Sequence, residues 1–211
     1  IAPGIVASFR DTGHVLGSAI VSLVVDDEEK KDQKLIVFTG DLGRKGLPIL
    51  RDPTEIERAD ILITESTYGN RLHAALSEVG DQLAEIVNET CKKGGKIIIP
   101  AFALERTQEI VYHLNILFQE KRIPDIPIYV DSPLAVNLTE VFTRHPECFD
   151  RQIYKEFIEN QKNPCGFGRL KYITDVEDSK ALNEKRGPMI IISASGMCEF
   201  GRIVHHLKNN V

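Results

Sequence analysis

From about residue 60 onward, short apolar segments alternate with longer amphipathic ones, and this alternation most constrains the fold. The segments KIIIPAF, IPIYVDSP and MIIISASGM are typical of buried strands. Between them, segments such as ERTQEIVYHLNILFQEKRI place apolar residues at helical spacing. Parallel strands need such crossover connections, so we predict a mainly parallel sheet with helices on both faces, over residues 70–205.

The first 65 residues show a different pattern, which predicts a second sheet. Two segments rich in β-branched residues, AIVSLVV and KLIVFTGD, are typical of strands, and they are joined by the charged segment DDEEKKDQK. We interpret the charged segment as a solvated hairpin loop rather than as a binding patch. A third segment, ADILITEST, is predicted to be a strand of the buried type. Further helices are predicted over LSEVGDQLAEIVNETCKKGG, LAVNLTEVFTRH, RQIYKEFIEN and GRIVHHLKNN.

The composition is that of an ordinary globular protein, and it argues against a membrane span and against a protein that wraps nucleic acid electrostatically, while leaving open an enzyme with a local basic cleft. Of the 211 residues, 42% are hydrophobic and 27% charged, and no apolar run approaches the ~18–20 residues of a membrane span. The net charge of -5 provides no global basic field toward nucleic acid. The four cysteines have no CxxC spacing, so we expect idle thiols and a cytoplasmic location. The N-terminus has neither a signal peptide nor a starting Met, so we expect a portion of a longer chain.

Polar residues follow several of the predicted strands, where function collects in parallel sheets. Asp41 and Glu65 follow two strands of the first region, and His14 stands just before AIVSLVV. A His, an Asp and a Glu at strand ends could hold a cation, whereas Arg106 and Ser132, farther along, could hold a phosphate. Each residue alone is equally consistent with a cap, a turn or a surface ion pair, such as one between Arg106 and Glu109.

Six short blocks occur in an order that resembles a known family: GHVLGSA, TGDLGR, ESTYGNR, PAFALERTQE, DSPLA and SASGMCEFGRIVHHL. They are similar to blocks of the metallo-β-lactamase superfamily in its β-CASP branch, which includes the eukaryotic pre-mRNA 3′-end cleavage endonuclease and its archaeal and bacterial relatives. The resemblance implies an α/β fold with part of a metallo-β-lactamase αββα sandwich in residues 1–68. It also implies an inserted β-CASP domain in residues 69–205, with a mainly parallel sheet flanked by helices, and a return to the first domain at 206–211.

The resemblance assigns roles to individual residues and implies two zinc ions in the intact protein. His14 matches a histidine that binds one zinc, with Gly13 and Gly17 allowing close backbone packing. Asp41 matches an aspartate that bridges both ions, as the two oxygens of a carboxylate allow. Glu65 matches an acidic residue that orients a histidine, so Asp41 and Glu65 are the expected acids of the catalytic centre. The expected contacts to the nucleic-acid backbone are Arg106, Ser132 and Ser195.

The implied activity is hydrolysis of phosphodiester bonds in single-stranded RNA through a metal-activated water, by an endonuclease that can also act as an exonuclease. The segment ESTYGN, with Glu65, is similar to the pre-mRNA-cleavage side of the branch, whereas members directed at DNA tend to have Asp there. Three alternatives stay open. They are a catalytically inactive scaffold subunit of an RNA-processing complex, a DNA-directed nuclease and a hydrolase of small molecules.

This sequence also departs from the family pattern. The HxHxDH signature is absent, and so are two later histidine-bearing motifs, so we expect this chain alone to bind no zinc and to cleave no RNA. We expect AIVSLVV and KLIVFTGD to be left with an open edge, which would pair with a second copy in a homodimer or be poorly ordered. His205 and His206 are interpreted as a helix face near the domain junction. The remaining histidines, interpreted as surface or helix residues, are His73, His113 and His145.

Overall fold

A computed structural model describes residues 1–27, 32–73 and 75–211 of the chain. The chain divides into two compact units, Ile1–Ala74 and Ala75–Val211. Each unit has its own sheet, so the predicted separation of the two sheets is confirmed. No helix in the described ranges combines the length and the apolar character that crossing a membrane requires.

The first unit contains a four-stranded sheet in the order β1-β2-β3-β4. Its strands are β1 (Ile5–Asp11), β2 (Ala19–Asp27), β3 (Asp32–Phe38) and β4 (Ile61–Ile63). The pairs β1–β2 and β2–β3 are antiparallel, whereas β3 and β4 are parallel. The predicted β2–β3 hairpin is therefore confirmed. Its charged loop is shorter than predicted, because both strands extend into DDEEKKDQK, and residues 28–31 of that loop lie outside the described residues.

Two expectations for this sheet are wrong. The segments AIVSLVV and KLIVFTGD do not leave an open edge, because β2 pairs on both sides and β3 pairs with β2 and β4. The edges are instead β1 and β4. Strand β4 is also not of the buried type, since Ile61, Leu62 and Ile63 are 48%, 57% and 50% exposed. An apolar run shows that its side chains favour burial, but burial requires a second layer packed on the sheet. Strand β4 is covered only along the edge where it pairs with β3.

The second unit is built on a parallel sheet, as predicted, and its strand order is β5-β8-β6-β7. Its strands are β5 (Lys96–Pro100), β6 (Ile128–Asp131), β7 (Leu170–Ile173) and β8 (Met189–Ser193). Its helices are α1 (Val79–Lys92), α2 (Arg106–Gln119), α3 (Pro133–Arg144), α4 (Arg151–Glu159), α5 (Val176–Glu184) and α6 (Arg202–Asn210). Short 3-10 turns cover Leu76–Glu78 and Pro146–Cys148.

The central strand β8 separates two layers of core. Every residue of β8 is buried. Ile190 and Ile192 pack into the larger cluster, with apolar residues of α1, α2 and α3. Ile191, on the opposite face, packs with Tyr129 and Leu182 in a smaller cluster. Because successive side chains of a strand point to opposite faces, this division places helices on both sides of the sheet, as predicted.

Two elements of the second unit lie outside the predicted set, namely β7 and α5. Strand β7 has only four residues, and α5 has few apolar residues, so neither shows enough periodicity to be detected. The two units meet at residues 74 and 75, and residues 206–211 lie in the second unit, mostly in α6. The assignment of residues 1–68, 69–205 and 206–211 to named family domains stays a prediction.

Candidate functional site

The strand directions of the first unit bring three loops to one edge of its sheet, meaning the edge formed by the strand ends and not by an outer strand. Antiparallel pairing places the end of β1 opposite the start of β2, with Asp11 across from Ala19. The next antiparallel and parallel pairs place the ends of β3 and β4 at this same edge, with Phe38 beside Ile63. The loops after β1, β3 and β4 therefore meet there. They carry His14, Asp41 and Glu65, the three residues nominated for the metal centre.

His14 and Asp41 lie side by side at this edge. The distance from His14 Nε2 to Asp41 Oδ2 is 3.9 Å, too long for a hydrogen bond. The two side chains are 42% and 72% exposed, so both can be reached from solvent. An imidazole nitrogen and a carboxylate oxygen are ligands that zinc accepts, each at ~2.0–2.2 Å. Their separation is short enough for both to bind one ion, so this donor pair fits zinc.

Glu65 holds the loop that carries Asp41. Its Oε1 atom accepts a hydrogen bond of 2.7 Å from the backbone N–H of Leu42, the residue that follows Asp41. A charged acceptor makes this bond stronger than one between neutral groups. Glu65 is thus in position to fix the direction of the Asp41 side chain. Its predicted contact with a histidine stays a prediction.

The loops after β1 and β3 contact each other through backbone atoms. The N–H of Gly43 donates to the carbonyl oxygen of Thr12 at 2.9 Å. A Cβ added at Gly43 would lie 1.8 Å from the Gly13 carbonyl oxygen, so only glycine permits this approach. Gly13 itself has φ +61 and faces Arg51 O, which an added Cβ would approach to 2.6 Å. Gly17 has φ +86 but open space around it, so it is required for its conformation and not for close packing.

Side-chain hydroxyls stabilise the turn around His14. Ser18 Oγ donates to Val15 O at 2.6 Å, so its single proton is used there. Thr12 Oγ1, which contacts Ser18 Oγ, must therefore be the donor in that pair. Thr12 Oγ1 also accepts from the His14 N–H at 3.3 Å. Thr12 is 1% exposed and Ser18 is half-buried, and this hydroxyl pair fixes the backbone at the candidate ligand.

His14 and Asp41 do not by themselves form a complete metal centre. A catalytic zinc ion normally has three protein ligands. In the ranges that the structure describes, no group of three or more His, Cys, Asp or Glu side chains is arranged to hold a metal ion. The donor pair fits a part of such a centre.

The three residues nominated for nucleic-acid contact follow neighbouring strands of the second sheet. Arg106 comes after β5, Ser132 directly follows β6, and Ser195 lies two residues beyond β8. Because β5, β8 and β6 are adjacent and parallel, their carboxyl ends share one edge. The structure therefore places these residues at one edge of the second sheet, where parallel sheets bind ligands.

The side chains of these three residues differ in how free they are to bind a ligand. Ser132 is the N-cap of α3 and accepts from the Ala135 N–H at 3.3 Å, which is the alternative role considered for it. Arg106 is 63% exposed and forms an ion pair of 2.7 Å with Glu109, again the alternative role. Ser195 is buried, and its Oγ has no hydrogen-bond partner among the described residues.

His206 lies on a helix, as the sequence interpretation had it, but on the buried face of that helix. It is fully buried, with Nε2 2.6 Å from Asp131 Oδ2 and Nδ1 2.9 Å from Asn183 Oδ1, whereas His205 is exposed. The signal for this was the spacing of Arg202, His206 and Asn210, four residues apart on one helix face. A polar stripe on a helix predicts exposure to solvent unless its side chains have hydrogen-bond partners inside the protein. On this helix the partners come from strands and helices that are distant in the sequence.

The other histidines and the cysteines give no sign of a second centre. His73 stacks on Tyr68 with 3.6 Å between ring centroids, His145 contacts Glu147, and His113 lies half-buried in α2. The cysteines, all present as thiols, are Cys91, Cys148, Cys165 and Cys198. Burial, with a smaller effect of the charge on Glu105, raises the pKa of Cys165 to about 12, so this thiol is a weak nucleophile and metal ligand.

Comparison with known proteins supplies the family. Residues 107–211 match the Beta-Casp domain. A ribonuclease of Thermus thermophilus is 37% identical over 97% of this chain and 45% of its own length. An RNase J-like protein of Methanocaldococcus jannaschii is 36% identical over 99% of this chain and 47% of its own length. A transcription termination factor of Methanosarcina mazei is 30% identical over 99% of this chain and 32% of its own length. The chain belongs to the metallo-β-lactamase β-CASP family.

Membership of the β-CASP family confirms the resemblance on which the residue roles were based. The segment that matches the Beta-Casp domain contains Ser132, Ser195 and the buried His206, while Arg106 immediately precedes it. This chain spans less than half the length of each of the three relatives. The activity of the whole protein is therefore a matter of proposal.

We expect Gly43→Ala to separate the two loops that carry His14 and Asp41. The added Cβ overlaps the Gly13 carbonyl, and overpacking of this kind costs roughly 1–3 kcal/mol. Amide hydrogen exchange should then show loss of protection at residue 43 and at Leu42. The matched control is Gly168→Ala, where an added Cβ meets nothing within 4 Å. Unchanged protection in Gly43→Ala would contradict the loop contact.

Proposed function

We propose that this β-CASP chain is part of a zinc-dependent endonuclease that hydrolyses phosphodiester bonds in single-stranded RNA. In this proposal the first unit belongs to the catalytic metallo-β-lactamase domain, and the second unit is the β-CASP domain that holds the RNA. The observation that carries the proposal is the convergence of His14, Asp41 and Glu65 at one sheet edge. Relatives named as a ribonuclease and as an RNase J-like protein support it.

The first unit would contribute His14 and Asp41 to the zinc site and Glu65 to its support. When bound, the zinc ions would supply Lewis-acid stabilisation for the charge that develops on the phosphodiester. The protein's own part is to hold the Asp41 carboxylate in place. Glu65 does this through the Leu42 N–H, and the Gly13–Gly43 contact does it through the backbone. Outer partners of this kind typically change metal affinity or activity by ~10–100-fold.

The second unit would bind the RNA backbone locally, because the protein has a net charge of -5 and no global field to attract RNA. Arg106 is the nominated phosphate contact and is exposed despite its ion pair with Glu109. The guanidinium is the exposed member of this pair, whereas the Glu109 side chain is only 6% exposed, so Arg106 can contact a phosphate from solvent while it stays paired with Glu109. Ser195, with its unpartnered hydroxyl, lies in the loop after β8 at the same edge.

Three large apolar side chains beside Ser195 and Arg106 are exposed. Phe102, Met197 and Phe200 are 55%, 64% and 67% exposed. Phe102 lies against Gly196, where an added Cβ would come within 3.1 Å of its ring, and the Ser195 N–H donates to Phe200 O at 3.2 Å. Single-stranded nucleic acids bind through base stacking on aromatic side chains next to cations. We therefore assign base stacking to Phe102 and Phe200.

We expect Asp41→Asn, made in the full-length protein, to lower the rate of cleavage of single-stranded RNA by at least ~100-fold, because an amide is a poorer zinc ligand than a carboxylate. Zinc content, measured by elemental analysis, should fall in parallel. The control Glu57→Gln changes another exposed residue of the first unit and should leave both quantities unchanged.

The assignment of Asp41 and two of the three alternative functions have their own outcomes in this experiment. Full zinc content and cleavage in Asp41→Asn would refute the assignment of Asp41. A wild-type protein that binds RNA and zinc without cleaving would be the scaffold subunit. Cleavage of single-stranded DNA in preference to RNA of the same sequence would identify a DNA-directed nuclease.

We expect Arg106→Ala to weaken RNA binding chiefly at low ionic strength, because a lost phosphate contact lowers the slope of log K against log salt by about 1. Fluorescence anisotropy across a salt series measures this slope. Arg144→Ala is the matched control, since Arg144 is an exposed arginine in a helical ion pair with Glu140. A slope in Arg106→Ala equal to that of the wild type would leave Arg106 a surface residue paired with Glu109.

We expect Phe200→Ala to weaken binding by about 1–3 kcal/mol at every salt concentration, because base stacking releases no counterions. The same anisotropy series measures it. The control is Val176→Ala, which shortens another exposed apolar side chain of the second unit. Wild-type affinity in Phe200→Ala, or a loss confined to low salt, would contradict the stacking role.

A further inference from the structure

A polar stripe runs along α6, formed by the buried His206 and the partly buried Arg202 and Asn210. Arg202 forms an ion pair of 2.6 Å with Asp131, and it also donates to the carbonyl oxygens of Ile173 and Thr174 at the end of β7. Asp131 ends β6 and is fully buried. Its Oδ2 atom contacts His206 Nε2 and also accepts from Ser179 Oγ on α5. A buried carboxylate therefore has three donors around it, which come from two helices.

The hydrogen bond from Lys96 determines the orientation of the Asn210 amide, and the Asn210 amide in turn determines that of Asn183. The Lys96 ammonium can only donate, so the Asn210 atom that lies 2.8 Å from Lys96 Nζ is the oxygen. The Asn210 nitrogen then donates to the His206 carbonyl oxygen at 2.8 Å and to the amide of Asn183 at 2.9 Å. The Asn183 atom that accepts this bond is consequently its oxygen.

This orientation fixes the protons of the His206 ring. Asn183 Oδ1 also lies 2.9 Å from His206 Nδ1, and because an amide oxygen has no proton to give, Nδ1 must donate. On the other side, Nε2 lies 2.6 Å from Asp131 Oδ2. Burial raises the pKa of Asp131, but hydrogen bonds from His206, Ser179 and Arg202 outweigh it and hold this pKa below its ordinary value. Asp131 is therefore ionised, and Nε2 must donate as well.

We infer that His206 is a buried imidazolium, which makes the cluster of Asp131, Arg202 and His206 net positive, and that this cluster positions the β8–α6 loop (residues 194–201). This inference rests on the proposed function only in giving that loop an RNA-binding role. The groups that contact the His206 ring are Asp131 from β6 and Asn183 from α5. Ser179 from α5 and Arg202 from its own helix act on it through Asp131, and Asn210 acts on it through Asn183. Lys96 of β5 acts on it through Asn210.

The cluster is coupled to the loop through backbone contacts at both of the loop's ends. Ser193 Oγ, just before the loop, donates to Asp131 O at 2.8 Å. Ile203, just after it, donates its N–H to Ala194 O at 3.2 Å. Gly201 is so close to Ala194 O that an added Cβ would lie 2.5 Å away. The loop that carries Ser195 is thus closed against a helix that the charged cluster fixes.

Nuclear magnetic resonance of the ring nitrogens tests the protonation directly in the wild-type protein. With ¹⁵N-labelled histidine at neutral pH, both His206 nitrogens should show the shifts of protonated nitrogen and slowly exchanging N–H protons. The variants His205→Gln and His206→Gln assign the signals. An unprotonated ring nitrogen on His206 in the folded protein would overturn the inference. This result does not depend on whether the protein cleaves RNA.

RNA binding tests the positioning role in the full-length protein. His206→Gln keeps a donor that can reach Asp131 but removes one positive charge. We expect several-fold weaker RNA binding at low ionic strength, with a salt slope reduced by less than about 1, because the lost charge is near the RNA without touching it. His205→Gln, on the exposed face of α6, should bind as the wild type does. An equal loss at all salt concentrations would reduce His206 to a packing residue and overturn this part.

Discussion

Strand direction is the constraint on which both candidate sites depend. In the first unit, parallel pairing of β3 with β4 places the loops that carry Asp41 and Glu65 at one edge, and antiparallel pairing of β1 adds the loop of His14. An antiparallel β3–β4 pair would place Asp41 and Glu65 at opposite ends of the strands. In the second unit, the parallel order β5-β8-β6 similarly gathers Arg106, Ser195 and Ser132 at one edge. The strand order and direction determine which polar residues lie together, because these residues come directly after the strands.

The sequence predicted these edges well, because an apolar run followed by polar residues marks a strand end. It predicted the place of Asp41 and Glu65, but not the Gly13–Gly43 contact that holds the loops together. A contact between two backbones leaves no periodic or compositional signal, and a glycine in a loop is common for many reasons. The exposure of β4 could not be predicted either, because the sequence of a strand does not indicate whether another element packs on it.

The burial of His206 shows a second physical limit of sequence patterns. Periodicity assigns polar helix faces to solvent because burying a polar group without partners costs free energy. On α6, every member of the stripe has partners, and these come from residues as far away in sequence as Lys96 and Asp131. Removing one partner from such a cluster leaves an uncompensated buried charge, which is more costly than never having built the cluster. The stripe therefore specifies one register for α6, whereas an apolar face could slide.

Among the described residues, two of the five non-glycine residues with positive φ lie at the candidate ligand-binding edge of the second sheet. Glu105, at the start of α2, has φ +65, and Cys198, in the β8–α6 loop, has φ +59. Conformations of this kind cost of order 1–3 kcal/mol for residues other than glycine, and they persist where the surroundings enforce them. The two strained residues flank the contact between Phe102 and Gly196. Strain, exposed aromatic rings and an accessible arginine thus coincide on loops that a rigid parallel sheet holds. Under the proposed function, such a local arrangement would let a chain with a net charge of -5 bind RNA without a basic surface, because stacking supplies affinity that does not require overall charge.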